Sequence, residues 1–141
     1  MAYRQARPAA RRFRLECLSG AYAICRAPAG AATDWAAGDL VVMARSRSEA
    51  LSTTVICDET CVPPTVEHDR GWRAIRFSGA FDFSEVGVLA GVLGTLAGAQ
   101  VPVMTISTFE TDYLLIKAHR FERVRQVLEE AGHEFIEAEA T

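Results

Sequence analysis

No G-x-S-x-G elbow, Walker-type phosphate loop or H-E-x-x-H zinc pair occurs in the 141 residues, and the ten glycines lack dinucleotide-fold spacing. The three histidines are scattered, one ahead of the second half and two at the ends of expected elements. With no residue set to carry a reaction, the expectation is a protein that is not an enzyme and needs no cofactor. Excess positive charge is missing as well. Lys and Arg number 15 against 18 Asp and Glu, a net charge of −3. Binding to a phosphate backbone leaves a basic footprint, so nucleic acid is not an expected partner. The exception is residues 1–12, where Arg4, Arg7, Arg11 and Arg12 occur with no acid among them. Two readings of that stretch stand: a solvated basic tail, or an arm for an acidic protein partner.

A charged-then-apolar secretory leader is also absent ahead of Phe13, which gives a cytoplasmic expectation. The four cysteines, Cys17, Cys25, Cys57 and Cys61, then read as reduced thiols. The Cys57-x3-Cys61 pair is looser than zinc sites favour and lacks two further ligands nearby, so no metal is expected. The 24 residues from Val86 to Phe109 carry no charge, whereas a spanning helix needs roughly 20 apolar residues. Yet Pro102 interrupts the run, β-branched and polar residues surround it, and Gly87, Gly91, Gly94 and Gly98 dilute its first half. The run reads as a buried helix followed by a buried strand, not a membrane span.

Turn-making residues are lacking where they are most expected. Between the apolar runs "VPVMTI" and "LLI" lies Ser107-Thr108-Phe109-Glu110-Thr111-Asp112-Tyr113, a hairpin junction without Gly, Asn or Pro. Around it the second half parses in order. A strand is expected over 72–79, and a helix over 85–99 with Leu89, Val92, Leu93 and Leu96 as its apolar stripe. Next come strands over 101–108 and from 112 or 113 to 117. A helix over 119–131 ends at Gly132, and a last strand covers 133–136. This β-α-β-β-α-β order is the ferredoxin-like plan, an α+β fold whose helices cover one face of a four-stranded antiparallel sheet. In the first half, two strands with a turn near Gly20 are expected, then a loop or weak helical turn over 26–39. "DLVVMARS" and "TTVICD" read as strands, and "CVPPTVEHDRG" as an irregular linker.

Two loops carry the groups that could hold a ligand. "FDFSEVG" (81–87) enters a helix N-terminus, whose free N–H groups favour an anion such as an α-carboxylate, and Gly87 leaves room for it to approach. Thr108 and its neighbours offer carbonyls and hydroxyls to an α-ammonium, and Glu85 and Asp112 offer carboxylates to a cationic side chain. The plainer roles remain open: Ser84 and Glu85 as helix caps, Asp112 as an Asx turn. Gly91, Gly94 and Gly98 each cost about 1 kcal/mol relative to Ala within a helix. Close approach to the chain's own sheet, or to a second domain's helix, would offset that.

The paired runs "DFSEVGVLA" and "ISTFETDYLLIK", with the Trp72 strand ahead and Gly132-His133 behind, resemble the second half of small tandem ACT-domain proteins of the CASTOR-like type. The resemblance is strong over residues 71–135 and looser through "GAYAICRA", "SEALS" and "VIC". It implies two ACT-like units in tandem, residues 13–70 and 71–141, in a non-catalytic sensor that binds a free amino acid at an ACT–ACT interface and associates as a homodimer. By the same resemblance Glu85 and Asp112 are the acids of the pocket, and Phe83, Val86, Gly87, Val88, Thr108 and Phe109 line it beside Ser84. Two acids favour a cationic ligand such as arginine or lysine. A ligand-free ACT-fold assembly module docking to another protein is the alternative.

Overall fold

The structure is a computed structural model that describes residues 14–78 and 88–137. Strands β1 (Arg14–Cys17), β2 (Tyr22–Pro28), β3 (Val42–Ala44), β4 (Ser52–Asp58) and β5 (Glu67–Ser78) precede helix α1 (Val88–Gly98). Strands β6 (Met104–Ser107) and β7 (Asp112–Lys117), helix α2 (Phe121–Glu130) and strand β8 (Glu134–Glu137) follow. The mixed α+β fold matches the ferredoxin-like expectation, with all eight strands in one sheet.

β5 organises that sheet. Its 12 residues begin earlier than expected, because Glu67 to Asp69 pair with β2 instead of forming an irregular linker. Pro63 and Pro64 stay ahead of the strand, where no ladder hydrogen bond is lost. A bulge accommodates the extra length: Tyr22 faces Trp72 while Ile24 faces Asp69, and Gly71 takes φ +84. The Glu59 carboxylate accepts from the Gly71 N–H at 3.1 Å and from Arg70 Nε at 3.1 Å, so the donor displaced by the bulge is satisfied.

The two strands expected on either side of Gly20 form, but they do not pair with each other. β1 and β2 run in the same direction, one after the other, along one edge of β5. Arg14 to Cys17 face Ser78 to Ile75, Leu18 N–H donates to the Ala74 carbonyl at 2.9 Å, and the pairing resumes at Tyr22. β7 occupies the other edge of β5, from Trp72↔Lys117 to Arg76↔Tyr113. Gly20, at φ +79, therefore serves a jog in a nearly straight path rather than a reversal.

A second difference follows from the first. In the four-stranded plan β8 would lie beside β5, but β1 holds that edge. β8 instead pairs parallel with β1, from Arg14↔Glu134 to Cys17↔Glu137. The order through this part of the sheet is β8-β1-β5-β7-β6, with β4 and then β3 continuing outward from β2.

Alternation of side chains assigns each strand residue to a face. Leu15, Cys17, Ile75, Phe77, Leu114 and Ile116 form one buried layer with Val92 and Leu96 of α1 and Phe121, Val124 and Leu128 of α2. Both helices end in Schellman turns. At α1 the C′ residue is Gln100 (φ 59), with Gln100 N–H bonded to Ala97 O at 2.9 Å and Val101 N–H to Leu96 O at 3.0 Å. At α2 it is the expected Gly132 (φ 98). β6 is shorter than expected because this turn and Pro102 occupy residues 99–103.

On the helix-free face Leu18, Tyr22, Leu40, Ile56, Ala74 and Leu115 form a second buried cluster. Burial pushes the Tyr22 phenol up to about 12, with the nearby Asp39 and Asp58 carboxylates adding to the effect. The folded value exceeds the ordinary 10.0. Tyr22 therefore supports the fold fully below that pH, and its contribution is lost as pH climbs towards 12. An alkaline titration followed by tyrosinate absorbance should show one of the three tyrosines ionising only with unfolding. Three equivalent phenols titrating near 10 would contradict this burial.

Candidate functional site

The β6–β7 hairpin closes at Ser107↔Asp112, with Thr108 to Thr111 as a four-residue loop. Loops of this length are built around helical-region residues and need no φ > 0, and none of these residues has one. A hydroxyl takes the place of turn-making residues. Thr108 N–H and Thr108 Oγ1 both donate to the Thr111 carbonyl, at 2.8 and 3.0 Å, and Thr111 N–H donates back to Thr108 Oγ1 at 3.2 Å. The Thr108 hydroxyl expected for a ligand's ammonium is thus engaged inside the turn, as donor and as acceptor, and none of these bonds uses the Thr108 carbonyl.

Asp112 is half-buried and accepts a hydrogen bond from the Ser107 hydroxyl. Phe109 projects from the loop with 87% of its surface exposed, and Glu110 beside it is also exposed. The structure therefore brings Thr108, Phe109 and Asp112 together on one turn. Phe83, Ser84, Glu85, Val86 and Gly87 lie outside the described residues. Val88 is the first residue of α1, and its side chain lies outside them too.

What ties this turn to the rest of the fold is Thr111, a residue that sequence reasoning did not single out. It is 7% exposed, and its hydroxyl donates to the Phe77 carbonyl at 3.0 Å. The β5–β7 ladder stops at Arg76↔Tyr113, and the Thr111 side chain takes the next carbonyl of β5 beyond that stop. The available signal was the pair of threonines three apart, a spacing that lets one hydroxyl close a turn and frees the other to reach outward.

Two solvent-open surface cavities occur elsewhere among the described residues. One, of about 470 Å³, lies on α2 between Glu122, Arg125, Gln126, Glu129 and Glu130. The other, of about 420 Å³, lies between Arg26, Pro28, Leu51, Ser52, Thr65 and Glu67. Neither touches the turn, and neither has the apolar, enclosed lining of a small-molecule pocket. The thiols are equally unsuited to ligation. Burial pushes Cys25 up to about 12 and raises Cys17 and Cys57, so all three are neutral. Among the described residues no group of three or more His, Cys, Asp or Glu could hold a metal ion, and no helix is long and apolar enough to cross a membrane.

The glycines of α1 have a different role from close packing on their own sheet. Among the described residues a Cβ added at Gly91, Gly94 or Gly98 meets nothing within 4 Å, and all three glycines are exposed. Val92 and Leu96 face the sheet instead. The outer face of α1 is left small and uncharged, with Thr95 turned back onto the Gly91 carbonyl at 3.0 Å.

Comparison with known proteins agrees with this geometry. The family described as "ACT domain" matches residues 67–130. The crystal structure of protein Atu0741 from Agrobacterium tumefaciens shares 30% identity over 92% of this chain and 96% of that one, with a TM-score of 0.82. A Vibrio cholerae protein described as of unknown function and a possible transport protein is 17% identical, with 84% and 89% coverage and a TM-score of 0.68. The ligand-free regulatory subunit of aspartate kinase from Thermus thermophilus has the same fold at 11% identity, with 84% and 94% coverage and a TM-score of 0.57. No curated protein matches in sequence.

Proposed function

Because the chain belongs to the ACT-domain family, we propose that it is a non-catalytic regulatory protein that binds a free amino acid, in the manner of CASTOR-like sensors. The observation that carries this reading is the Thr111–Phe77 bond. It holds the turn bearing Thr108, Phe109 and Asp112 against the end of β5, the strand that leads toward Phe83–Gly87. Main-chain groups of the two loops hold the ligand's ammonium and carboxylate, and Glu85 and Asp112 receive a cationic side chain such as that of arginine or lysine. The exposed Phe109 and the openness of the turn in a single chain support a ligand held between two ACT units, in a homodimer. A thermal-shift screen of the twenty amino acids tests the reading. The expected result is a melting point raised by one of them, with arginine and lysine first, at millimolar concentration. No shift for any would overturn it, since a ligand well above its Kd stabilises the state it binds.

The outer face of α1 favours a second reading. Three exposed glycines, each costing about 1 kcal/mol relative to Ala, are not required by packing among the described residues. A ligand-free assembly module would use that face to dock another protein, and binding would survive loss of Asp112.

A further inference from the structure

We infer that Thr111 is the positioning residue of the amino-acid site, setting the turn against β5 through its side-chain hydroxyl. The inference rests on the amino-acid-binding reading above. Among the described residues Thr53 and Thr111 are the buried polar side chains, and Thr111 has every hydrogen-bonding group engaged. Its amide donates to Thr108 Oγ1 at 3.2 Å, and its carbonyl accepts from Thr108 N–H at 2.8 Å and from Thr108 Oγ1 at 3.0 Å. Its hydroxyl donates to Phe77 O at 3.0 Å.

The first three bonds give the loop one shape. The fourth ties that shape to the end of β5. The ladder between β5 and β7 has ended one residue earlier at Arg76↔Tyr113. The other edge of β5 at Phe77 is held by Leu15 in β1. The turn is therefore rigid in itself, and the Thr111 hydroxyl ties it to the strand end. Thr111 touches no ligand in this arrangement. It acts through the positions of Thr108, Phe109 and Asp112, where small misplacements weaken binding steeply.

Valine has nearly the shape of threonine but no donor, so Thr111→Val keeps the packing and removes the registration. Thr111→Ser keeps the donor and loses only the methyl group. The experiment uses the full chain. The amino acid that stabilises the wild type is first identified among the twenty, and its Kd is then measured by calorimetry for the wild type, T111V and T111S, at a temperature where all three are folded. The expected result is binding about tenfold weaker in T111V, the scale of one lost hydrogen bond, with T111S within about threefold of wild type. If T111V melts at lower temperature but binds with wild-type Kd, Thr111 is only a structural residue; the positioning role is overturned and amino-acid binding stands. If no amino acid binds the wild type, the reading of the site fails and the positioning role fails with it.

Discussion

Replacing Leu15 by alanine should lower the unfolding free energy by about 3 kcal/mol, within the 2–5 kcal/mol range for a fully buried leucine. Leu15 is 0% exposed and belongs to the layer under both helices, facing Phe77 on one side and Phe135 on the other. Because β1 is built between β5 and β8, a residue near the start of the chain lies at the centre of the C-terminal sheet. Urea unfolding followed by far-ultraviolet circular dichroism should show a lower midpoint with an unchanged slope. Amide exchange should accelerate along β8, whose pairing among the described residues is with β1. If residues 71–141 folded as a unit independent of β1, Leu15→Ala would change the unfolding free energy by less than about 0.5 kcal/mol, as surface substitutions do, and leave β8 protected.

The difference between that sheet and the expected one shows what the sequence could and could not convey. Periodicity located β5, α1, β7 and α2, because their apolar positions repeat at the spacing of the face they bury. Gly132 was legible as a helix end because it has the φ that the turn requires, whereas Gln100 takes the same conformation without any residue-type signal. The edge of β5 that β1 would choose was not legible. "RLEC" and "YAIC" alternate equally well whether they fold back on each other or follow one another along β5. Gly20 is compatible with a hairpin turn and with a jog. What decides the matter is the continuous partner supplied by a 12-residue β5, which begins directly after a proline-containing segment that reads as irregular linker. At the site, the missing turn residues reflect a four-residue loop that needs no φ > 0. The hydroxyls were assigned outward to a ligand, but they are used inward, because an unpaired loop amide or carbonyl costs more than an unused hydroxyl gains in water. Asp112 accepts one hydrogen bond, from Ser107, while a carboxylate can accept several.

Substituting Asp112 by alanine should remove most or all of the stabilisation of this protein by a cationic amino acid while leaving the fold intact. The wild type at a ligand concentration of 100 times Kd gains about 2.7 kcal/mol, equivalent for a chain of this size to a melting point raised by roughly 10 °C. Removing one partner of a charge pair closed off from water costs about 2–5 kcal/mol, so at the same ligand concentration the shift should fall to roughly 3 °C at the lower end of that range and to nothing measurable at the upper end. The ligand-free protein loses only the bond from the Ser107 hydroxyl to a half-buried carboxylate, about 0.5–1.5 kcal/mol. Asp112→Asn separates charge from shape. It retains an oxygen to accept from Ser107, so the ligand-free melting point should stay near wild type, while affinity for arginine or lysine falls as in D112A. Equal loss of neutral and cationic amino acids in D112N would instead place Asp112 at the ligand's ammonium group, which every amino acid carries. Retention of the full shift in D112A would remove this turn from the binding site altogether, and with it the reason for a carboxylate at the first position of β7.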